Sequence, residues 1–298
     1  MLKPIIKKVL PNPLDSLLKK AKKKSAQRFL LFWNRGLGDI PLGLYAIVHQ
    51  IKKFVPGASI TFITRENLRD GFILLGGVEV IVAPNLKRGD QVDFPTLLSE
   101  LGIDPNDYDQ IIESPDPTQW VPWQRGSLTP LLHWQEKWDA LWEDYPLDPN
   151  QTYIGAHVQT ETNYAHWRNW PLDYWQELFE KVTGTGAKIL IFGFEKTPAF
   201  DLEGVIDLRG ETPLFPLLSI IKNRCSALVV PDSGVSSMTY YLNESFPIKL
   251  VSLWADPYMG ILKQGVFSPN PELVHVPLLG KDKDIRNITP EAVFEHLR

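Results

Sequence analysis

The chain has 298 residues, 44% of them hydrophobic and 22% charged, enough to bury two ordinary cores rather than one. Its single cysteine, Cys225, excludes an intramolecular disulfide and any cysteine-cluster zinc site. No apolar run reaches the roughly 18 residues of a membrane span, and the first residues lack the pattern expected of a secretion signal.

The formal charge of −4 is unevenly spread. Residues 1–28 carry nine basic side chains against Asp15 alone, a local charge of +8 that leaves −12 for the remainder. Interleaved apolar residues make this basic stretch either an amphipathic arm for an anionic membrane surface, a helix packed on the body, or a solvated tail. The acidic remainder argues against nucleic acid as a partner.

In chain order, the apolar run RFLLFW ends at Asn34-Arg35-Gly36-Leu37-Gly38-Asp39 and is followed by a helical pattern. Strands are predicted at 59–64 (SITFIT), 78–84 and 108–114. The pattern breaks over 115–150, where Trp134, Trp138 and Trp142 recur every four residues on one face of a predicted helix, for core packing or for stacking on a sugar. A second series opens with TYIGAHV, then the helix LDYWQELFEKV and the strand KILIFGF. It continues with the helix LFPLLSIIKN, the strand ALVVPD, a helix from about Val235, the strand IKLVSLWA and a capped terminal helix at Thr289-Pro290. Alternating strands and helices predict an α/β fold of two parallel-sheet domains, 29–150 and 151–298, behind the 1–28 arm. A ligand cleft is expected where the strands' carboxyl ends face each other.

Four places hold candidate chemistry. Gly36 and Gly38 permit close backbone approach, and Asp39 either caps the following helix or takes a proton from a hydroxyl. Pro41 stands where a dinucleotide fingerprint needs its third glycine. Asp232-Ser233-Gly234 opens a helix, as a phosphate-binding turn or as an ordinary cap. Arg168, just before Trp170-Pro171, is either a surface arginine or a counter-charge for a diphosphate. Glu195, after a strand end, is either a ribose ligand or an acid offsetting a helix dipole. His157 is expected to be buried; His166, Lys263 and Gln264 are expected near the cleft. The six histidines show no metal-ligand spacing, so no bound metal or other cofactor is expected.

The order of these motifs resembles glycosyltransferase family 9, the lipopolysaccharide heptosyltransferases. The resemblance rests on Gly36-Leu37-Gly38-Asp39, Arg168 before Trp170-Pro171, Gly193-Phe194-Glu195, Asp207-Leu208-Arg209-Gly210, Asp232-Ser233-Gly234 and Leu253-Trp254-Ala255-Asp256-Pro257. It covers residues 29 to 260. It implies a GT-B architecture, two Rossmann-like domains with the acceptor on the first and a nucleotide-diphosphate sugar on the second. The reaction implied is inverting and metal-independent, with ADP-heptose as the family's default donor and a lipopolysaccharide-type or other lipid-linked glycan as acceptor. Asp39 would be the base; Arg168, Asp232, Ser233, Gly234 and Ser237 would surround the sugar diphosphate, with Glu195 on the ribose. Asn163, Tyr164, His166 and Asp256 are further candidates around the same pocket. The implied location is cytoplasmic, peripheral on the inner face of the membrane. Ser237 stands where the family has a histidine, arginine 168 where lysine is common, and Asn163 and Tyr164 where it has small hydroxyl residues. These departures keep a second reading open, a catalytically degenerate nucleotide-sugar or glycan-binding protein of the same fold.

Overall fold

A computed structural model describes residues 12–160 and 166–298. Two parallel sheets divide the strands between them. The first holds β1 (Arg28–Trp33), β2 (Ser59–Thr64), β3 (Glu79–Val82) and β4 (Gln110–Ile112), in the order β3-β2-β1-β4. The second holds β5 (Tyr153–His157), β6 (Lys188–Phe192), β7 (Val205–Asp207), β8 (Cys225–Pro231), β9 (Ile248–Trp254) and β10 (Leu273–Leu279), in the order β10-β9-β8-β5-β6-β7. That second order is the doubly wound one, with its reversal between β5 and β8. β1 and β2 are buried at every position but the first, because helices cover both faces of such a sheet.

The helices follow from local chemistry. Helix α1 (Pro13–Lys23) starts where the Asn12 side chain accepts the Leu14 N–H at 2.9 Å, with proline at its first position. Leu14, Leu18 and Ala21 then fall on one buried face against α2 (Tyr45–Phe54), and three lysines sit at the dipole's negative end. Residues 13–23 are therefore a packed helix and not an arm. Their apolar side is committed to the core, so this stretch takes the alternative of a helix packed on the body. Helices α3 (Arg69–Leu75) and α4 (Phe94–Glu100) complete the first half. In the second half, α5 (Leu172–Thr183) follows the buried Trp170, whose indole N–H reaches the Ile288 carbonyl at 2.8 Å. Helices α6 (Leu214–Arg224), α7 (Gly234–Tyr240) and α8 (Gly260–Gln264) face the first half, and α9 (Pro290–Glu295), capped by Thr289, packs on α5.

One element takes a form other than the expected one, and β7 and β10 carry no expectation from the sequence. The tryptophan stretch is a 3-10 helix, Glu136–Asp144, that begins after Trp134. Trp138 stacks on Phe215 of α6 at 4.1 Å and Trp134 meets Trp138 edge-on at 5.2 Å, so these rings serve packing. The edge strand β10 tolerates Pro277 because it pairs only with β9.

The halves are not independent cores. One apolar cluster runs from Leu14 and Leu18 through Ile40 and Leu132 to Met238 and Ile261. The connecting segment stitches them as well: Leu132 N–H donates to the Tyr241 carbonyl at 3.0 Å, and His133 N–H to the Leu74 carbonyl at 2.7 Å.

Candidate active site

A cavity of about 690 Å³ lies where the carboxyl ends of the two sheets face each other. That volume suits a ligand of nucleotide size. The loop after β1 forms one wall. Its shape depends on Gly36, because a Cβ there would lie 2.6 Å from the Asp39 carboxylate. Asp39 leads into a π-helical turn, Ile40–Leu44, and makes no capping hydrogen bond, so the cap alternative fails for it. Instead the carboxyl faces the cavity. Burial pushes its pKa up from 3.8 to about 6, opposed by the Gly36 backbone N–H and by the charges of Arg88, Arg168 and Arg35. A carboxylate so placed is ionised near neutrality yet basic enough to accept a proton.

The surroundings of this loop are fixed from below. Buried Asn34 donates to the Lys87 and Asp90 carbonyls at 3.4 and 3.0 Å, holding the turn that brings Arg88 to the cavity. Arg65, at the end of β2, donates to the Arg35 carbonyl at 2.9 Å. The π-turn's Leu42 carbonyl accepts from two amides at 2.7 Å each, Gln124 of the connecting segment and Gln264 of α8. Nothing in the local sequence marks Arg65, Arg88 or Gln124 as cavity residues; each is carried there by a loop folding over a strand end.

The opposite wall comes from the second sheet. Arg168 lies with its guanidinium 3.5 Å from the Asp232 carboxylate. Burial raises the Asp232 pKa, and Arg168 pulls it back. Ser233 caps α7: its hydroxyl accepts the Ser236 N–H, and the Ser236 hydroxyl accepts the Ser233 N–H, both at 3.2 Å. The cap alternative thus holds here and engages two backbone donors of this turn. Ser237 is buried and donates to the Ser233 carbonyl at 3.3 Å. Gly234 touches the other wall, since a Cβ on it would stand 2.8 Å from Leu37 Cβ and 3.1 Å from Gly38 N.

The third side lies beyond β6 and β7. Gly193 and Gly210, at φ 151 and 74, join their loops through the Gly210 N–H to Gly193 carbonyl bond of 2.8 Å. Fully buried Arg209 pins this corner, bonding Asp207 and the Lys196 and Pro198 carbonyls. The Asp-Leu-Arg-Gly phrase is therefore architectural.

Of the residues expected at the site, Gly36, Gly38, Asp39, Arg168, Asp232, Ser233, Gly234 and Ser237 come together around the one cavity. Lys263 and Gln264 join them. Glu195 does not: it is exposed, and its neighbour Phe194 lines the cavity instead. Asp256 is also outside, bonded to Lys283 at 3.0 Å and to the Tyr258 N–H at 2.9 Å. His166 is exposed and outside the lining, and Asn163 and Tyr164 lie outside the described residues. His157 is buried as expected, yet it reaches the cavity floor.

No protein-family model matches the chain, and no curated protein sequence matches it. Solved structures do. E. coli ADP-heptose LPS heptosyltransferase II aligns with a TM-score of 0.58 at 18% identity, covering 91% of this chain and 97% of that one. A glycosyl transferase family 9 protein from Veillonella parvula gives 0.61 at 16%, covering 91% and 96%. E. coli heptosyltransferase WaaC with ADP-2-deoxy-2-fluoro heptose gives 0.54 at 14%, covering 91% and 98%. With two facing parallel sheets and this shared course of the chain, the protein has the GT-B fold of these glycosyltransferases.

Proposed function

We propose that this protein is an inverting glycosyltransferase that moves a sugar from a nucleotide-diphosphate donor to a glycan hydroxyl. The observation that carries the reading is the pairing of Asp39 and Arg168 across one cavity, a raised-pKa carboxylate on the first sheet facing a cation on the second. In the reaction, an acceptor hydroxyl gives its proton to Asp39 as its oxygen bonds to the anomeric carbon. The bond from that carbon to the diphosphate oxygen breaks at the same time, and the departing charge meets Arg168. A single displacement inverts the anomeric centre. Arg168 supplies the positive potential, so the reading requires no metal.

The similar structures support the donor class: one is an ADP-heptose enzyme and another holds an ADP-heptose analogue. ADP-heptose is accordingly the first donor to try, with a lipopolysaccharide-type or lipid-linked glycan as acceptor at the cytoplasmic face of a membrane. No helix among the described residues is long and apolar enough to cross a bilayer. Surface attachment falls to the exposed Lys19, Lys20, Lys22, Lys23 and Lys24, whose charges remain outward while the apolar face of α1 is buried.

Calorimetry with a panel of nucleoside diphosphates and their sugars tests the donor half. Transfer assays with chelator present, comparing wild type with Asp39→Ala, test the catalytic half. Full transfer by Asp39→Ala sinks the assignment of the base. A second reading, binding without turnover, draws on Ser237: its hydroxyl is spent on the Ser233 carbonyl where the resembled family offers a histidine. Donor binding with no product across a broad acceptor panel selects it.

A further inference from the structure

His157 ends β5 at the reversal point of the second sheet, beside β8 on one flank and paired with Phe192 of β6 on the other. It is 3% exposed and nevertheless lines the cavity, together with Arg168, Asp232 and Gly193. Its Nδ1 is sealed from solvent and has no hydrogen-bond partner. Two residues earlier on the same face, the space at Gly155 is enclosed by Leu228, Phe192 and the Cys225 thiol. A buried polar ring with an unpaired nitrogen costs free energy that a hydrocarbon side chain at the same place does not. An unpaired buried nitrogen at a cavity wall calls for an explanation other than packing.

Reversal points of this sheet order place their ligand over the carboxyl ends of the two diverging strands. We infer that His157 is a donor-recognition residue, whose imidazole hydrogen-bonds the sugar-diphosphate part of the nucleotide-sugar at the cavity floor beside Arg168. The inference rests on the nucleotide-sugar reading and adds to it a neutral polar contact. Burial lowers the ring's pKa to about 4 in the ligand-free protein, so the imidazole that meets the ligand at neutral pH is uncharged before binding.

The test uses the full chain and four forms: wild type, His157→Leu, His157→Asn and His157→Gln. Asparagine sets an amide near the place of Nδ1, and glutamine sets one near that of Nε2. Thermal denaturation without ligand and calorimetry with the nucleoside diphosphate that binds wild type are read for each, at pH 6 and 8. The expected result has three parts. His157→Leu keeps or raises the ligand-free Tm, loses at least tenfold in affinity at both pH values, and one of the two amide variants restores affinity to within threefold. Wild-type affinity in His157→Leu, a parallel fall in its ligand-free Tm, or failure of both amides to restore binding overturns the inference. Absence of nucleotide binding by wild type is a different failure, that of the donor reading itself.

Discussion

Gly38 and Gly234 meet across the cleft, backbone to backbone, one from each sheet. A Cβ built on Gly38 would stand 3.4 Å from the Gly234 Cα, whereas one on Gly234 would stand 2.8 Å from Leu37 Cβ. The two glycines belong to two different motifs and look equivalent in the sequence, but their surroundings are unequal. Gly38→Ala adds a methyl at ordinary contact distance and is expected to keep transfer activity within about threefold. Gly234→Ala drives a methyl into the facing loop and is expected to lower kcat/KM by about tenfold or more, with the protein still folded. Steady-state kinetics on both variants, with circular dichroism as the folding control, decides the point.

Asp39 is poised at a cost in stability. Its folded pKa of about 6 lies above the 3.8 of an unperturbed aspartate, so the folded state binds a proton that the unfolded chain has already released. Stability attributable to this group is therefore lost as pH rises from about 4 to about 6, and the loss is complete above that. Asp39→Asn is expected to raise stability by on the order of 1 to 3 kcal/mol at pH 7.5 and to add little at pH 4. The same substitution is expected to lower kcat by about 10² to 10⁴ while nucleotide binding persists. Wild-type kcat should rise with pH through about 6. Urea melts at the two pH values and a pH–rate profile check both halves.

Arg168 neutralises a buried partner as well as facing the cavity. Removing it leaves Asp232 deeply buried without its counter-charge, at a carboxyl whose pKa is already raised. Arg168→Ala is expected to lose stability at neutral pH and about tenfold or more in nucleotide affinity. Adding Asp232→Asn should recover the stability and leave the affinity low. A double-mutant cycle read by both melting and calorimetry separates the two roles.

Helix α1 is core, despite its basic composition. Leu18 is fully buried in the cluster that spans both halves. Leu18→Ala is expected to cost about 2 to 4 kcal/mol and to leave vesicle binding unchanged. Replacing Lys19, Lys20, Lys22, Lys23 and Lys24 with glutamine should do the reverse, sparing stability and weakening binding to anionic vesicles. Sedimentation with phosphatidylserine-containing vesicles, alongside melting curves, reads both.

How much of this was legible beforehand follows from how each element is encoded. Long apolar runs such as RFLLFW, SITFIT and IKLVSLW identify β1, β2 and β9 because strands buried on both faces need no alternation. β7, three residues of VID, is too short for any period, and β10 carries Pro277 inside it. The tryptophan spacing suggested an α-helical face, but 3-10 geometry won where the connecting segment had to fit α6. Asp39 and Arg168 were readable because a glycine loop and a Trp-Pro flag their places. Arg88 was not, since bonds from distant Asn34 help carry its loop to the cavity. Glu195 misled because a strand end alone does not fix which neighbour turns inward, and Phe194 does.

The Leu42 carbonyl, shared by Gln124 and Gln264, ties the turn after Asp39 to two distant parts of the chain. The second of those bonds closes over 222 residues of chain. Contacts of such span form only after a large loss of chain entropy has been met. The turn's own bonds are local, Leu42 N–H to the Gly38 carbonyl and Tyr45 N–H to the Ile40 carbonyl, whereas its fastening to α8 waits for the rest of the chain. The cavity wall that carries Asp39 is thus fastened from the far half of the chain.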